Sequence, residues 1–404
     1  MRRIIAFVLL MGLLLTGCGS TAEDLTQGYI PRQVSNEILP PDENPANFAV
    51  SLFRNSVKEG ENTLISPLSV LCALAMTANG AKGETLAQME DVLGASPEQL
   101  NSWLHSYMGS RKQNDALHLA NAIWFNTHER FTPNHDFLQT NADYFGAGIH
   151  AAEFGDMTCR EINAWVHDHT DGMIRDILDE IPDDAVMYLV NALAFEAQWA
   201  AVFTEHQVRG GVFTTQDGRK QDAQFMYDTL YTYLETENAT GFIRYYQGND
   251  YAFVALLPNE GTTVSQLVKS LEGDSLAALL AEPKEAAVDI AIPKFEAETS
   301  LEMRAVLKAM GMTDAFDPDQ ADLSGLGESA AGNIFINRVL HKTFISVGEK
   351  GTRAGAATVV EANDRAMEIV DSANIVYLDR PFVYMIVDCA HNLPAFMGTC
   401  MDLG

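Results

Sequence analysis

The sequence predicts a single large α+β domain. Three observations carry that expectation. Helical patterns and strand-like runs mix without a regular βαβ alternation, so strands distant in the chain must pair with one another. Residues 45–404 contain no second linker and no internal repeat, although length alone suggests two domains. That stretch is also long enough to bury a sizeable core.

The elements follow in order. Residues 1–17 read as a signal peptide. Met1-Arg2-Arg3 is a short basic start, and Ile4–Leu15 is an apolar run of about a dozen residues, too short for a stable bilayer-spanning helix. It ends in Leu15-Thr16-Gly17-Cys18, which resembles a bacterial lipobox. That resemblance implies cleavage before Cys18 and lipidation of its thiol. Two or more acyl chains anchor stably where one does not. Gly19 does not resemble an inner-membrane retention signal, and the leaflet stays open. The expected location is therefore the cell surface or exterior, tied to a membrane. Residues 18–44 then read as the lipidated cysteine and a flexible polar tether, a coil of roughly 30 Å root-mean-square length.

The domain proper begins where Asn44 precedes Pro45, an N-cap with proline at the first helical position. Phe48, Leu52 and Phe53 share one face of that helix. Ser66-Pro67 repeats the start signal before the apolar helix Leu68–Ala78. Strand-like runs are Leu117–Phe125, Met187–Phe195, Tyr251–Leu257, Ala287–Phe295, Phe335–Val347, Phe382–Val387 and Ala395–Met401. Helical patterns cover Arg160–Thr170, Val264–Leu271 and Leu301–Met310.

Charge and cysteine content exclude several function classes. The chain carries 26 basic and 55 acidic residues, a formal charge of −29, and loss of the two signal-peptide arginines makes the mature chain two units more negative. Nucleic acid, heparin-like polymers and anionic lipid head groups are poor partners for such a surface. Besides Cys18, the widely spaced Cys72, Cys159, Cys389 and Cys400 read as free thiols, and no CxxC or zinc spacing is present. His167 and His169 flank Asp168, but two residues apart on a helix they do not share a face. No metal or cofactor is expected. Asn238-Ala-Thr240 matches a glycosylation sequon and is expected to stay idle in a bacterial lipoprotein.

Seven blocks together resemble the serpin family: "NTLISPLSVLCALAMTANGAKGET" (62–85), "INAWVHDHTDGMI" (162–174), "YLVNALAFEAQW" (188–199), "IPKF" (292–295), "GMTDAFDPDQADLSG" (311–325), "VLHKTFISVGEKGTRAGAAT" (339–358) and "DRPFVYMIVD" (379–388). They come in the family's order across essentially all of 45–404. The resemblance implies a large central β-sheet, two further sheets, about eight or nine helices and an exposed reactive loop over about 349–375. It implies a monomeric inhibitor with no turnover of its own. A protease cuts the loop and is trapped as an acyl-enzyme when the loop enters the central sheet as an extra strand.

The residues of that loop fit such a role. Side chains of a strand alternate faces. With Thr352 inward, Ala354, Ala356, Thr358 and Val360 are inward too, all small or β-branched, while Arg353, Gly355, Ala357, Val359 and Glu361 face out. Family members usually carry an acid where Arg353 stands; on the wet face, arginine is tolerated. Glu349, Gly351, Thr352, Ala354, Ala356, Ala357 and Thr358 form the hinge. Counting along from Glu349 by the family's spacing puts the reactive bond at Arg365–Ala366, which suits a trypsin-like protease. Ala362, Asn363 and Met367 remain alternatives, and counting back from Pro381 lands near Val370. Papain-like cysteine proteases and elastase-like enzymes stay open as targets.

Other residues take structural roles by the same resemblance. Ser66, Ser69, Asn191 and His341 match a buried polar cluster under the sheet. No GxSxG elbow accompanies them, and no catalytic residue is assigned. Glu349 and Lys294 match an ion pair at the loop's entry point, with Trp199 in the same region. Heparin-activated members carry a basic helix; the matching stretch here offers only Arg111 and Lys112. The rival expectation is a non-inhibitory binding, storage or chaperone-like member. Such members often place bulky or charged residues at the inward hinge positions.

Overall fold

A computed structural model of the chain describes residues 22–35, 37–111, 116–127, 131–174, 176–182, 185, 187–330, 332–336, 338–352 and 374–404. Nine α-helices occur among them: α1 (Pro45–Ser56), α2 (Pro67–Ala78), α3 (Gly83–Leu93), α4 (Pro97–Arg111), α5 (His135–Phe145), α6 (Asp156–His169), α7 (Val264–Ser270), α8 (Gly273–Ala281) and α9 (Arg304–Met310). The first two start as their caps dictate. Asn44 Oδ1 accepts from Ala46 N at 3.0 Å, and Ser66 Oγ accepts from Ser69 N at 3.2 Å. Nearly every side chain of α2 is buried, as befits a helix that is apolar all round.

The strands, numbered in chain order, build three sheets. The central one has two parts. One runs β1 (Glu23–Asp24), β5 (Gly148–Ala152), β3 (Leu117–Asn126), β6 (Met187–Phe195); the other runs β14 (Phe295–Glu302), β16 (Leu340–Gly348), β17 (Gly351–Thr352), β7 (Ala197–Gln198). Only Glu196 separates β6 from β7, so the two parts share one continuous stretch of chain. A six-stranded sheet has the order β10 (Tyr233–Glu235), β11 (Ala239–Tyr245), β12 (Tyr251–Pro258), β19 (Phe382–Asp388), β20 (Leu393–Cys400), β2 (Thr63–Ile65). Every residue of β12, β19 and β20 is buried, which makes this sheet the heart of the core. A four-stranded sheet runs β18 (Asn374–Tyr377), β13 (Val288–Pro293), β9 (Lys220–Leu230), β8 (Val208–Thr214), and β15 (Gly327–Ser329) pairs with β4 (Phe131–Pro133). This is the α+β arrangement of a large central sheet with two further sheets that the sequence resemblance implied.

Three boundaries differ from expectation. Leu301 and Glu302 end β14 rather than start a helix, because Phe295–Glu302 alternates buried and exposed residues. Glu302 Oε1 then accepts from Arg304 N at 3.0 Å and sets the start of α9. The strand expected from Phe335 begins at Leu340, since Ile336 N is spent on Ala315 O. The third concerns the tether. Its described residues lie against the body: β1 pairs with β5, Arg32 makes a bidentate bond to Asp143 on α5, and Leu39 N donates to Ser102 Oγ on α4. A polar composition permits a coil, but each of these bonds fixes the segment in place. Cys18 lies outside the described residues.

Candidate functional site: a slot in the central sheet

The upper end of the central sheet is closed by a two-residue wedge. β17 sits between β16 and β7, with Thr352 opposite Val347 on one side and Ala197 on the other. Thr352 is fully buried, and its Oγ1 is hydrogen-bonded to Tyr246 Oη. Its side chain thus faces inward. Gly351 has room for nothing larger, since a Cβ there would lie 2.0 Å from Ala197 O.

An aromatic and ionic frame holds this end. The Trp199 ring stacks on Tyr246 at 4.5 Å. Trp199 Nε1 donates to Gly348 O at 2.8 Å, Trp199 N to Lys350 O at 2.9 Å, and Phe203 N to Glu349 O at 3.0 Å. The turn between β16 and β17 is therefore bonded to the chain that follows β7. Lys294 Nζ lies 2.6 Å from Glu349 on the outer side. That bond holds the Glu349 carboxyl below its ordinary range. Beneath the aromatic pair, Arg244 is buried against Asp228 at 2.7 Å, with its guanidinium 3.9 Å from the centre of the Phe203 ring. Tyr246, Arg244, Asp228 and Phe203 were not singled out from sequence. The one available signal was an arginine inside the otherwise apolar β11.

Lower down, the sheet parts. No ladder joins β6 to β16 among the described residues. A cavity of about 330 Å³ opens there, lined by Leu74, Tyr188, Val190 and Phe335 with Ser69 and His341 in its wall. At its floor His341 Nε2 accepts from Ser66 N at 2.9 Å, and Ser66 Oγ donates to Ala395 O at 2.9 Å. The two bonds tie β16 to the start of α2 and to β20. Burial pushes His341 down to about 4, so the ring is neutral with its proton on Nδ1. Asn191 lies on β6 opposite Asn121, with its side chain outside the described residues.

This arrangement performs mechanics rather than bond chemistry. Ser66 Oγ gives its proton to a carbonyl, and the His341 acceptor nitrogen is occupied by a backbone N–H. Neither serves as nucleophile or base toward the other. No cluster of His, Cys, Asp or Glu among the described residues has metal-holding geometry. His169 Nδ1 meets Trp165 O, His167 Nδ1 meets Asp168, and Cys72, Cys159, Cys389 and Cys400 are unpaired. Ala354, Ala356, Ala357, Thr358, Arg365 and Ala366, with the alternatives Ala362, Asn363, Met367 and Val370, lie outside the described residues.

Comparison with known proteins fits this geometry. A family model described as serpin (serine protease inhibitor) matches residues 43–403. Iris of Ixodes ricinus is 31% identical over 386 residues, covering 92% of this chain and 99% of Iris. The crystal structure of a thermophilic serpin, tengpin, in the native state is 43% identical with a TM-score of 0.87, covering 95% of this chain and 100% of that one. Tengpin in the latent state is 41% identical with a TM-score of 0.79, covering 93% of this chain and 100% of that one. The conformation here is thus more similar to the native form than to the latent one.

Proposed function

The chain belongs to the serpin family, the serine protease inhibitors, and from that premise we propose that it is a surface-anchored suicide inhibitor of a trypsin-like serine protease. The target's serine Oγ attacks the carbonyl carbon of Arg365. The Arg365–Ala366 bond breaks, the Ala366 amine leaves with a proton from the protease's histidine, and an ester links protease to inhibitor. The freed strand then zips downward from Thr352 between β6 and β16. Each of those strands has nine residues, so the new strand runs about 30 Å. At about 1 kcal/mol net per backbone bond, insertion gains on the order of ten kcal/mol. It succeeds only if it outruns hydrolysis of the ester, so the trap is kinetic.

The observation that carries this reading is the parted slot with a small hinge residue, Thr352, already at its head. The roles given to the polar floor and to the Glu349–Lys294 pair rest on their positions at the two ends of that slot. Lipidation of Cys18 and a membrane location complete the proposal, with a monomer as the acting form. The test is to mix the protein with trypsin. A complex that survives boiling in detergent, with a released fragment beginning at Ala366 by mass spectrometry, is expected. A cut loop with the protease left fully active would sink the inhibitory reading; trapping at another bond would move the cut site alone.

A further inference from the structure

We propose that the flank carrying the docked N-terminal segment rests on the lipid surface to which Cys18 is attached, an inference that depends on the lipoprotein reading of that cysteine. The first argument is reach. The described chain begins at Ala22, four residues after Cys18, a span of about 14 Å at full extension. From Glu23 onward the segment is fixed. β1 pairs with His150 and Ala151 of β5, Gln139 Nε2 donates to Ile30 O, and Arg32 grips the buried Asp143 carboxylate. Ser102 Oγ donates to Glu37 O and accepts from Leu39 N. Acyl chains on Cys18 therefore hold this flank, formed by α4, α5 and β5, within about one helix diameter of the bilayer.

The second argument is what the segment shows to solvent. Its backbone and Arg32 are bonded inward to α4 and α5, so its remaining side chains project away from the body. Eight large apolar side chains are exposed among the described residues, and three belong to this short stretch: Ile30 at 74%, Ile38 at 53% and Leu39 at 41%. Apolar groups beside a lipid anchor enter the head-group boundary and add to its hold. The acidic residues of the segment, Glu23, Asp24, Glu37, Asp42 and Glu43, direct it toward zwitterionic rather than anionic lipid. The four-stranded sheet that leads into and out of the loop makes none of these bonds, which leaves the reactive side facing away from the bilayer.

The test uses full-length lipidated protein on phosphatidylcholine vesicles in a Cys389→Ser background. A nitroxide is placed at Ile30→Cys or Ile38→Cys, and at Ile375→Cys on β18 as the comparison site. Flotation with vesicles is expected, with contact of positions 30 and 38 with an aqueous nickel reagent falling about tenfold, as apolar groups immersed in the interface do, and position 375 unchanged. Flotation with positions 30 and 38 still open to the reagent would overturn the docking proposal while sparing the lipid anchor. Failure to float would overturn the anchor and the proposal with it. Protection of position 30 without vesicles would assign the face to a second copy of the chain instead.

Discussion

Replacing Thr352 by arginine tests the insertion mechanism at its first residue. Thr352 is fully buried between β16 and β7, its hydroxyl satisfied by Tyr246. Arginine at this position carries a guanidinium toward the Trp199–Tyr246 stack, under which Arg244 is already buried with Asp228 as its counter-charge. A second buried cation there has no partner, and an uncompensated buried charge costs about 3–5 kcal/mol. The hinge must enter the sheet before any later residue can follow, so this cost falls on the insertion barrier. Every 1.36 kcal/mol is tenfold in rate, and insertion slows by roughly 10² or more. Hydrolysis of the acyl bond involves none of these atoms and keeps its rate. The variant is therefore cleaved and releases active protease. The assay titrates trypsin with inhibitor and counts detergent-stable complex per loop cut. Thr352→Val is the size-matched control; it removes one hydrogen bond, worth about 1 kcal/mol, and should shift the partition by less than tenfold. An arginine variant with unchanged stoichiometry and complex yield would refute the inward assignment of Thr352 in the working inhibitor.

Cleavage of the loop without a trapped protease should raise the melting temperature sharply, because the cut strand fills the slot; calorimetry before and after cleavage reads it, and equal values would count against stored strain. His341 is held neutral well below its ordinary 6.5, at about 4. The unfolded chain takes up that proton first as the pH falls, so stability should drop between about pH 6.5 and 4 by about 3 kcal/mol and then level off. His341→Gln should flatten that slope in urea titrations at stepped pH. Glu349 runs on a lower window: its carboxyl is held down by Lys294, so its contribution is present above the ordinary carboxylate range and lost as the pH falls through the lower folded-state value. Because both partners are a third or more exposed, Lys294→Met should change global stability by less than about 1 kcal/mol.

Some elements were legible because their signals are local. Asn44-Pro45 and Ser66-Pro67 announce α1 and α2 through cap chemistry that needs no tertiary partner. β19 announces itself by an unbroken apolar run, since it is buried on both faces. α3 gave no such sign: it starts after Lys82, with no side-chain cap. β9 is largely polar over its first half and reads as loop until its pairing with β8 and β13 is known. The docked N-terminal segment was illegible for a stronger reason. Its anchoring bond joins Arg32 to Asp143 across 111 residues, and nothing in either local sequence marks the partner.

The slot shows the same division between local and distant information. Alternation along 352–360 gives an inward set of small residues, because strand parity is a local property. What that set slides past is assembled from five separate parts of the chain: Trp199 and Phe203 after β7, Asp228 on β9, Arg244 and Tyr246 at the end of β11, Lys294 after β13, and Glu349 after β16. Arg244 illustrates the consequence. Read alone it is a lone basic residue in an apolar strand; in place, burial lowers its pKa while Asp228 works to raise it. Its guanidinium also spans the Phe203 ring and the Ala201 carbonyl, so one buried charge braces the floor beneath the hinge. A spring that must stay shut until it is cut needs rigid support at the entry and weak closure below it. The structure supplies the first with this charge and the stacked aromatics, and the second by leaving β6 and β16 unpaired over the cavity.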